Sequence, residues 1–384
     1  MTDAATYLDH AATTPLLPEV RAAIVEALDL TGNPSSVHRH GRAAREAVDR
    51  ARGEVARLAG ADRNQVVFTG SATEAITQAI VGGVKAYAID RVIVGAGEHQ
   101  AVLKAAEASG AAVERVGLLA SGVLDIAALE ASLRAADDAG ALALVAVQWV
   151  NNETGVVQPV SEVEALVGPG RHYLFVDAVQ AAGKRELEFA ARAADMMAMS
   201  AHKIGGPSGI GALLVKGHCD TVRLIPGGGQ EQGRRGGTEA VALIAGFGAA
   251  ANAFRQRYDA ADIARRVDSV SAGLRDIAAD IVFFGGEADR IGSMASFAIP
   301  GLKSSVAMMG LDLEGVSVSS GSACSSGKVG RSHVLEAMGV DTALVGCALR
   351  VSLGWSSSDD DVTEFLAAMR RVVARHRSAT GQAA

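Results

Sequence analysis

The chain has 384 residues, 49% of them hydrophobic and 21% charged, which suits one large soluble domain with a smaller companion. A formal net charge of −7 speaks against nucleic acid or an anionic membrane as the main partner. Residues 1–10 lack the charged and apolar regions of a signal peptide, and the longest apolar stretch, Val241 to Ala251, is too short to span a bilayer, so a cytoplasmic protein is expected.

In chain order, Tyr7 to Pro15 reads as extended and ends in a turn, and Pro18 to Leu28 has helical spacing. Gly32 to His38 is a polar loop in which Asn33-Pro34 forbids a helix, and the next helix is expected from near Gly41. Its charges through Arg57 fall at i, i+4 (Arg45/Asp49, Glu46/Arg50, Arg50/Glu54), the pattern of a solvated face. Val66 to Thr69 is a strand running through Gly70-Ser71 into a helix at Ala72. Free amides on a first helical turn favour an anion such as phosphate, with Thr73 in reach. Equally, Ser71 with Glu74 three residues on is a capping box, and both readings stand.

Strands at Arg91–Val94, Ala112–Val116, Leu142–Trp149 and Leu174–Val176 then alternate with helices at Gln100–Ala108, Asp125–Ala135 and Val160–Val167. This alternation predicts an α/β fold with a mainly parallel sheet wrapped by helices. In such sheets ligands sit beyond the carboxyl ends of the strands. The polar residues there, His99, Asn151, Asn152, Asp177 and Gln180, are therefore candidates, although each alone also fits turn chemistry. The apolar run Met196–Ser200 is followed at once by His202 and Lys203 and a Gly-rich turn. An amine at a strand mouth suits attack on an aldehyde, and an acid ending another strand suits holding a pyridine nitrogen protonated; pyridoxal phosphate needs that pair. A solvated loop lysine is the plainer alternative.

Pro226 to Thr238 is a Gly-rich loop that matches neither a P-loop nor a dinucleotide fingerprint. The long apolar helix Ala240–Tyr258 suits a link to a second unit. The expected division is residues 16–257 as a large domain, with 1–15 and 258–384 as a smaller α+β domain. In it a helix is expected at Ile263–Ala278, strands at Ile281–Phe284, Ser296–Ile299 and Val316–Val318, and a helix at Ser304–Leu311. The run Val318 to Lys328 nearly imitates a Walker A loop, but its glycine spacing is one residue too long and Val329 replaces the metal-binding hydroxyl residue. What remains is Cys324 in a polar small-residue loop beside Lys328, a setting in which a thiol ionises usefully. Cys219 and Cys347 lie in ordinary structural surroundings, and the three cysteines show no disulfide or metal spacing. Arg350, mid-strand among apolar residues, needs an anionic partner: a substrate carboxylate, or an internal Asp or Glu.

Tyr7 to Pro15, Gly32 to His38, Glu98-His99, Val150 to Gly155, Asp177 with Gln180, Ser200 to Gly211, Arg235 to Thr238, Ser319 to Ser326 and Arg350 to Gly354 together, in order and over nearly the whole chain, resemble the cysteine desulfurases. These are fold-type I pyridoxal 5'-phosphate enzymes of the class V aminotransferase group, of the type serving iron–sulfur assembly. The resemblance implies that Lys203 carries the cofactor, Asp177 faces its ring nitrogen, Gln180 bonds the ring oxygen and His99 stacks on the ring. It implies a phosphate site of Ala72, Thr73, Ser200 and His202, with Thr238 supplied by the second subunit of a homodimer. Asn33, Asn152 and Arg350 are implied to hold the L-cysteine carboxylate and the cofactor edge. Cys324 is implied as the nucleophile that takes the sulfur as a persulfide, leaving alanine, before delivery to an iron–sulfur scaffold or sulfur-carrier protein. No resident metal is implied beyond a transient hold of Cys324 on a cluster. The chain departs from the family pattern at Gly70-Ser71, whose order is reversed, at Gln232 and Gly236, and at Lys328 to Ser332, which lacks the usual Leu-Glu-Pro. A class V transaminase, a selenocysteine lyase and a non-catalytic sulfur-relay protein are the rival readings.

Overall fold

The computed structural model describes residues 5–168, 171–321 and 331–380. After a short strand β1 (Thr6–Tyr7), the strands β2 (Val66–Thr69), β3 (Arg91–Gly95), β4 (Ala112–Val116), β5 (Ala143–Gln148), β6 (Tyr173–Asp177), β7 (Met196–Ser200) and β8 (Gly211–Val215) form a seven-stranded sheet without β1, in the order β2-β8-β7-β6-β5-β3-β4. The strands β5, β7 and β8 are buried along their whole length, which is why they read as unbroken apolar runs: helices cover both faces. Alternate residues feed two cores. Ile93, Val145, Leu174, Val176 and Met197 point to one face, and Val92, Leu144, Phe175, Met196 and Ala198 to the other.

The sheet is mainly parallel as expected, but β8 runs antiparallel to both β7 and β2. The chain between β7 and β8 is a single helical turn and a Gly-Pro-Ser-Gly corner, too short for the crossover a parallel strand needs. Helix boundaries shift by a few residues. The helix expected near Gly41 begins at Arg39, capped by His38 Nδ1, which accepts from Gly41 N at 3.2 Å. The helix expected from Ala72 is interrupted: Ala72–Thr77 passes into a wide π turn, Gln78–Gly82, before resuming as Gly83–Tyr87. A Cβ on Gly82 would lie 2.7 Å from the Arg223 carbonyl oxygen, so the passing backbone leaves room only for glycine there.

The second part of the chain adds β9 (Val282–Phe283), β10 (Met294–Ala298), β11 (Val316–Ser317), β12 (Ser319–Ser320) and β13 (Ala348–Ser352). Four of them make an antiparallel sheet in the order β12-β13-β10-β9, and β11 pairs in parallel with β1. The expected strands at 281–284, 296–299 and 316–318 are thus present with shorter or shifted ends. Helices Ala260–Ile277, Ser304–Leu313 and Asp359–Thr380 lie in this part of the chain, where Val270, Leu274, Phe297, Val351, Phe365 and Met369 share a separate core. The helix Val241–Arg257 packs on Pro18–Leu28 and Arg39–Ala59, and Gly248 lets it approach to where a Cβ would meet Ala51 Cα at 2.5 Å. Among the described residues, no helix is long and apolar enough to cross a membrane.

Candidate active site

The carboxyl ends of β3, β5, β6 and β7 open onto one cavity of about 430 Å³, within the range of pockets that enclose small ligands. Each strand hands over a different side chain. Asp177 is the last residue of β6, and Lys203 sits in the helical turn Ala201–Ile204 that follows β7. His99 follows β3 and caps the helix Gln100–Ala108, and Asn152 follows β5. Asp177, Lys203, His99, Asn152, Gln180, Ser200, His202, Ala72, Thr73 and Arg350 all line this cavity, so most of the residues singled out from the sequence converge.

Burial and charge set their protonation. Asp177 is 6% exposed, and its carboxyl is pushed up to about 6 by burial, against the pull of the Val179 N–H (2.9 Å) and of the Lys203 ammonium. Lys203 Nζ donates to the carbonyl oxygens of Ala11 (2.5 Å) and Ala12 (2.8 Å), which hold the amine at the cavity wall. The imidazole of His99 is lowered to about 4 by burial and by the Lys203 charge. Its Nδ1 accepts from Ala101 N at 3.1 Å, which leaves Nε2 as the protonated nitrogen of the neutral ring. Burial and Lys203 likewise lower His202 to about 4, and His202 Nδ1 lies 3.3 Å from Thr13 Oγ1.

At Gly70-Ser71 the N-cap is realised, but the return bond of the expected capping box falls one residue earlier, on Gly70. Ser71 Oγ accepts from Glu74 N at 3.1 Å, and the Glu74 carboxylate accepts from Gly70 N at 2.8 Å and from Arg235 Nε at 2.7 Å. Ser71, Ala72 and Thr73 nonetheless border the cavity, with the charge of Glu74 paired by Arg235. For Arg350 the internal acid is present too. Its Nη2 donates to Asp9 Oδ1 at 2.7 Å and its Nη1 to the Asn152 carbonyl at 2.6 Å, while its buried Nε has no partner among the described residues. A buried donor left over beside a cavity fits an anionic ligand.

Two expected residues are not brought here. Asn33 is exposed, its Oδ1 accepting from Ser35 N at 2.8 Å within its own turn, and Thr238 is exposed as well; neither borders the cavity of this chain. Cys324 lies outside the described residues. On one flank of that segment, Ser332 Oγ donates to the buried carboxyl of Glu153, which burial raises to about 7 against this hydrogen bond and the Arg350 charge. Cys219 is buried and pushed up to about 12, and Cys347 is buried and raised, which suits inert thiols.

Residues that sequence reasoning left without a role also matter. Asp9 and the wall formed by Ala11 and Ala12 had no spacing signal, because each acts on a group far along the chain, Arg350 or Lys203; Lys184 meets Gln180 only four residues away, inside an irregular turn. Glu98 was quoted only as part of a motif. It is 1% exposed, its Oε1 accepts from Gln148 N at 2.9 Å, and burial, with Asp177 adding, raises its carboxyl far above the usual range.

The family model described as aminotransferase class-V matches residues 6–365. The chain is 36% identical over 390 residues to an IscS-like cysteine desulfurase of Mycobacterium tuberculosis, covering 98% of each chain. Its fold is similar to a NifS-like protein from Rickettsia africae, with TM-score 0.86 and 27% identity over 96% of this chain and 99% of that one. It is also similar to the structure of SspA in complex with cysteine, with TM-score 0.78 and 28% identity over 91% of this chain and 99% of that one.

Proposed function

We propose that this chain, which belongs to the class-V aminotransferase family and is a cysteine desulfurase, takes sulfur from L-cysteine with pyridoxal 5'-phosphate seated in the cavity around Lys203. The observation that carries the residue assignment is the convergence of an amine, a buried acid and a neutral imidazole, Lys203, Asp177 and His99, on one cavity at the strand ends. A buried donor, the Nε of Arg350, is left for an anion, and hydroxyls of Thr73 and Ser200 border the same space. These groups suit a phosphorylated pyridine aldehyde. When bound, such a cofactor supplies an electron sink for the bond electrons at the substrate α-carbon.

Every other step falls to the chain. Lys203, resting on the carbonyls of Ala11 and Ala12, is the amine that would hold the aldehyde, and it would serve as the base for the substrate α-proton. Asp177 would hold the ring nitrogen protonated: burial pushes its carboxyl up only to about 6, so it is mostly ionised at pH 7 and can face a cation. His99, neutral at pH 7, would lie against the ring and pass protons, Gln180 would serve the ring oxygen, and Ala72, Thr73, Ser200 and His202 would hold the phosphate. Thr238 would reach the phosphate from the second subunit of a homodimer. Asn33, Asn152 and the Nε of Arg350 bind the substrate carboxylate and cofactor edge. Cys324, as thiolate, attacks the substrate sulfur. The new S–S bond forms as the Cβ–S bond breaks, the carbon keeps the pair and is protonated, and alanine leaves. The persulfide then passes to an iron–sulfur scaffold or a sulfur carrier in the cytoplasm. In this reading residues 16–257 hold the cofactor, and residues 1–15 with 258–384 carry the Cys324 segment.

The test is Cys324→Ser. The variant is expected to keep the visible absorbance of bound cofactor and to stop releasing alanine from cysteine. In the parent, mass spectrometry after brief exposure to cysteine is expected to place one added sulfur on the Cys324 peptide. Undiminished turnover in the variant would remove Cys324 from the chemistry.

A further inference from the structure

Just past β6 the chain makes two consecutive turns, with Gly183 at a positive φ of 75°, that bring the Gln180 and Lys184 side chains together. Lys184 is half-buried, and its Nζ donates to Gln180 Oε1 at 3.2 Å. The other end of the same amide, Gln180 Nε2, donates to the Ala11 carbonyl at 2.8 Å. That carbonyl is also one of the two on which Lys203 Nζ rests. The relay therefore runs Lys184, Gln180, Ala11, Lys203, from outside the cavity lining to the amine at its wall.

The chemistry of the two anchors decides which way the amide lies. While Lys184 is protonated its ammonium only donates, and the Ala11 carbonyl only accepts at any pH, so turning the Gln180 side chain over would set donor against donor at one end and acceptor against acceptor at the other. One N–H of Gln180 remains for the cavity that this side chain borders. We propose that Lys184 is a positioning residue that fixes the Gln180 amide so that it offers a donor, and not its oxygen, to the phenolate oxygen of a pyridoxal cofactor. This rests on the cofactor reading given above, and it concerns a residue that touches neither cofactor nor substrate.

Holding a cation here is costly, which is why the role is more than incidental. Burial, the Lys203 charge and the Arg350 charge all lower the Lys184 amine, to about 7, and Lys184 in turn lowers His10. An apolar side chain would relieve that repulsion. The donor from Gln180 draws negative charge from the phenolate and so lowers the pH at which the linked cofactor gains its proton. Loss of the orientation raises that midpoint.

The experiment is a spectroscopic titration of the cofactor-loaded protein with Lys184→Met, Lys184→Arg, Gln180→Met and the double variant. In Lys184→Met the pH midpoint of the visible band is expected to rise by about one unit, and pyridoxal phosphate to bind to the cofactor-free protein about tenfold more weakly, the scale of one lost hydrogen bond. Lys184→Arg is expected to restore both. In the Gln180→Met background, Lys184→Met is expected to move the midpoint no further, which separates action through the amide from a bare through-space charge effect. An unmoved midpoint in Lys184→Met, or an equal shift in both backgrounds, overturns the positioning role even if the melting temperature changes. A parent protein that binds no pyridoxal phosphate overturns the cofactor reading itself, and this proposal falls with it.

Discussion

Asp177 shows how far a single residue can be read in advance. Its place at the end of an apolar strand marked it, because strand ends in parallel sheets gather ligands, and Lys203 was marked in the same way. Its electrostatic state was not readable, since that depends on the depth of the pocket. With the carboxyl at about 6 in the folded, cofactor-free protein and near 3.8 when unfolded, the folded state binds the extra proton between those values. Stability from this group is therefore full below about 3.8 and is lost as pH rises through about 6. Glu153, at about 7, acts in the same sense, whereas His10, His99 and His202, all near 4, lose stability as pH falls below 6.5. Asp177→Asn removes one contribution and leaves the others. The cofactor-free variant is expected to melt higher than the parent above about pH 7 and to match it near pH 4, where the parent carboxyl is protonated. A constant difference across that range would mean that the carboxyl does not titrate as its burial requires.

Secondary elements were legible where one periodicity ran without interruption, as in β3, β5 and the helix Gln100–Ala108. They were not legible where a distant contact decided the outcome. The two-residue pairing of β1 with β11 joins segments at opposite ends of the sequence, and no local pattern announces it. The loop Gln230–Gly233 is another case. It read only as Gly-rich, yet Glu231 adopts a positive φ of 49° and turns its carboxylate inward. There it accepts from Arg52 Nη1 and Nη2 at 2.7 and 2.8 Å and from Phe68 N of β2 at 2.9 Å, with the glutamate side chain 2% exposed. This pair pins the loop and the helix Arg39–Ala59 to the edge strand of the central sheet. Removing one partner strands the other as a buried charge, so Arg52→Ala is expected to lower the unfolding free energy by about 3–5 kcal/mol. Urea unfolding of the cofactor-free protein measures it, and a loss under about 1 kcal/mol would class the pair with surface ion pairs.

Two hydrophobic cores are laced together by residues 8–17. Leu8 belongs to the core shared with Val351 and Phe365, whereas Ala11 and Leu17 belong to the core of the central sheet. Between them, His10 N donates to the Ser352 carbonyl at 3.2 Å, and Thr14 N and Leu17 N donate to the carbonyls of His202 and Gly205 at 3.0 and 2.9 Å. The strap thus spans from β13 to the turn that carries Lys203. Its charged fastening is Asp9 on Arg350, partners 341 positions apart in sequence, with the arginine side chain 1% exposed. Asp9→Ala leaves that guanidinium with one backbone acceptor and a buried Nε that has none. A loss of about 3–5 kcal/mol of stability is expected, the scale for a stranded buried charge. If Arg350 also serves a substrate carboxylate, alanine added to the variant supplies the missing anion. It is then expected to raise the melting temperature more in Asp9→Ala than in the parent, where Asp9 already occupies one edge of the fork. An equal rise in both would mean that the carboxylate binds without Arg350. A variant that melts with the parent would mean that the strap is held by its backbone hydrogen bonds alone.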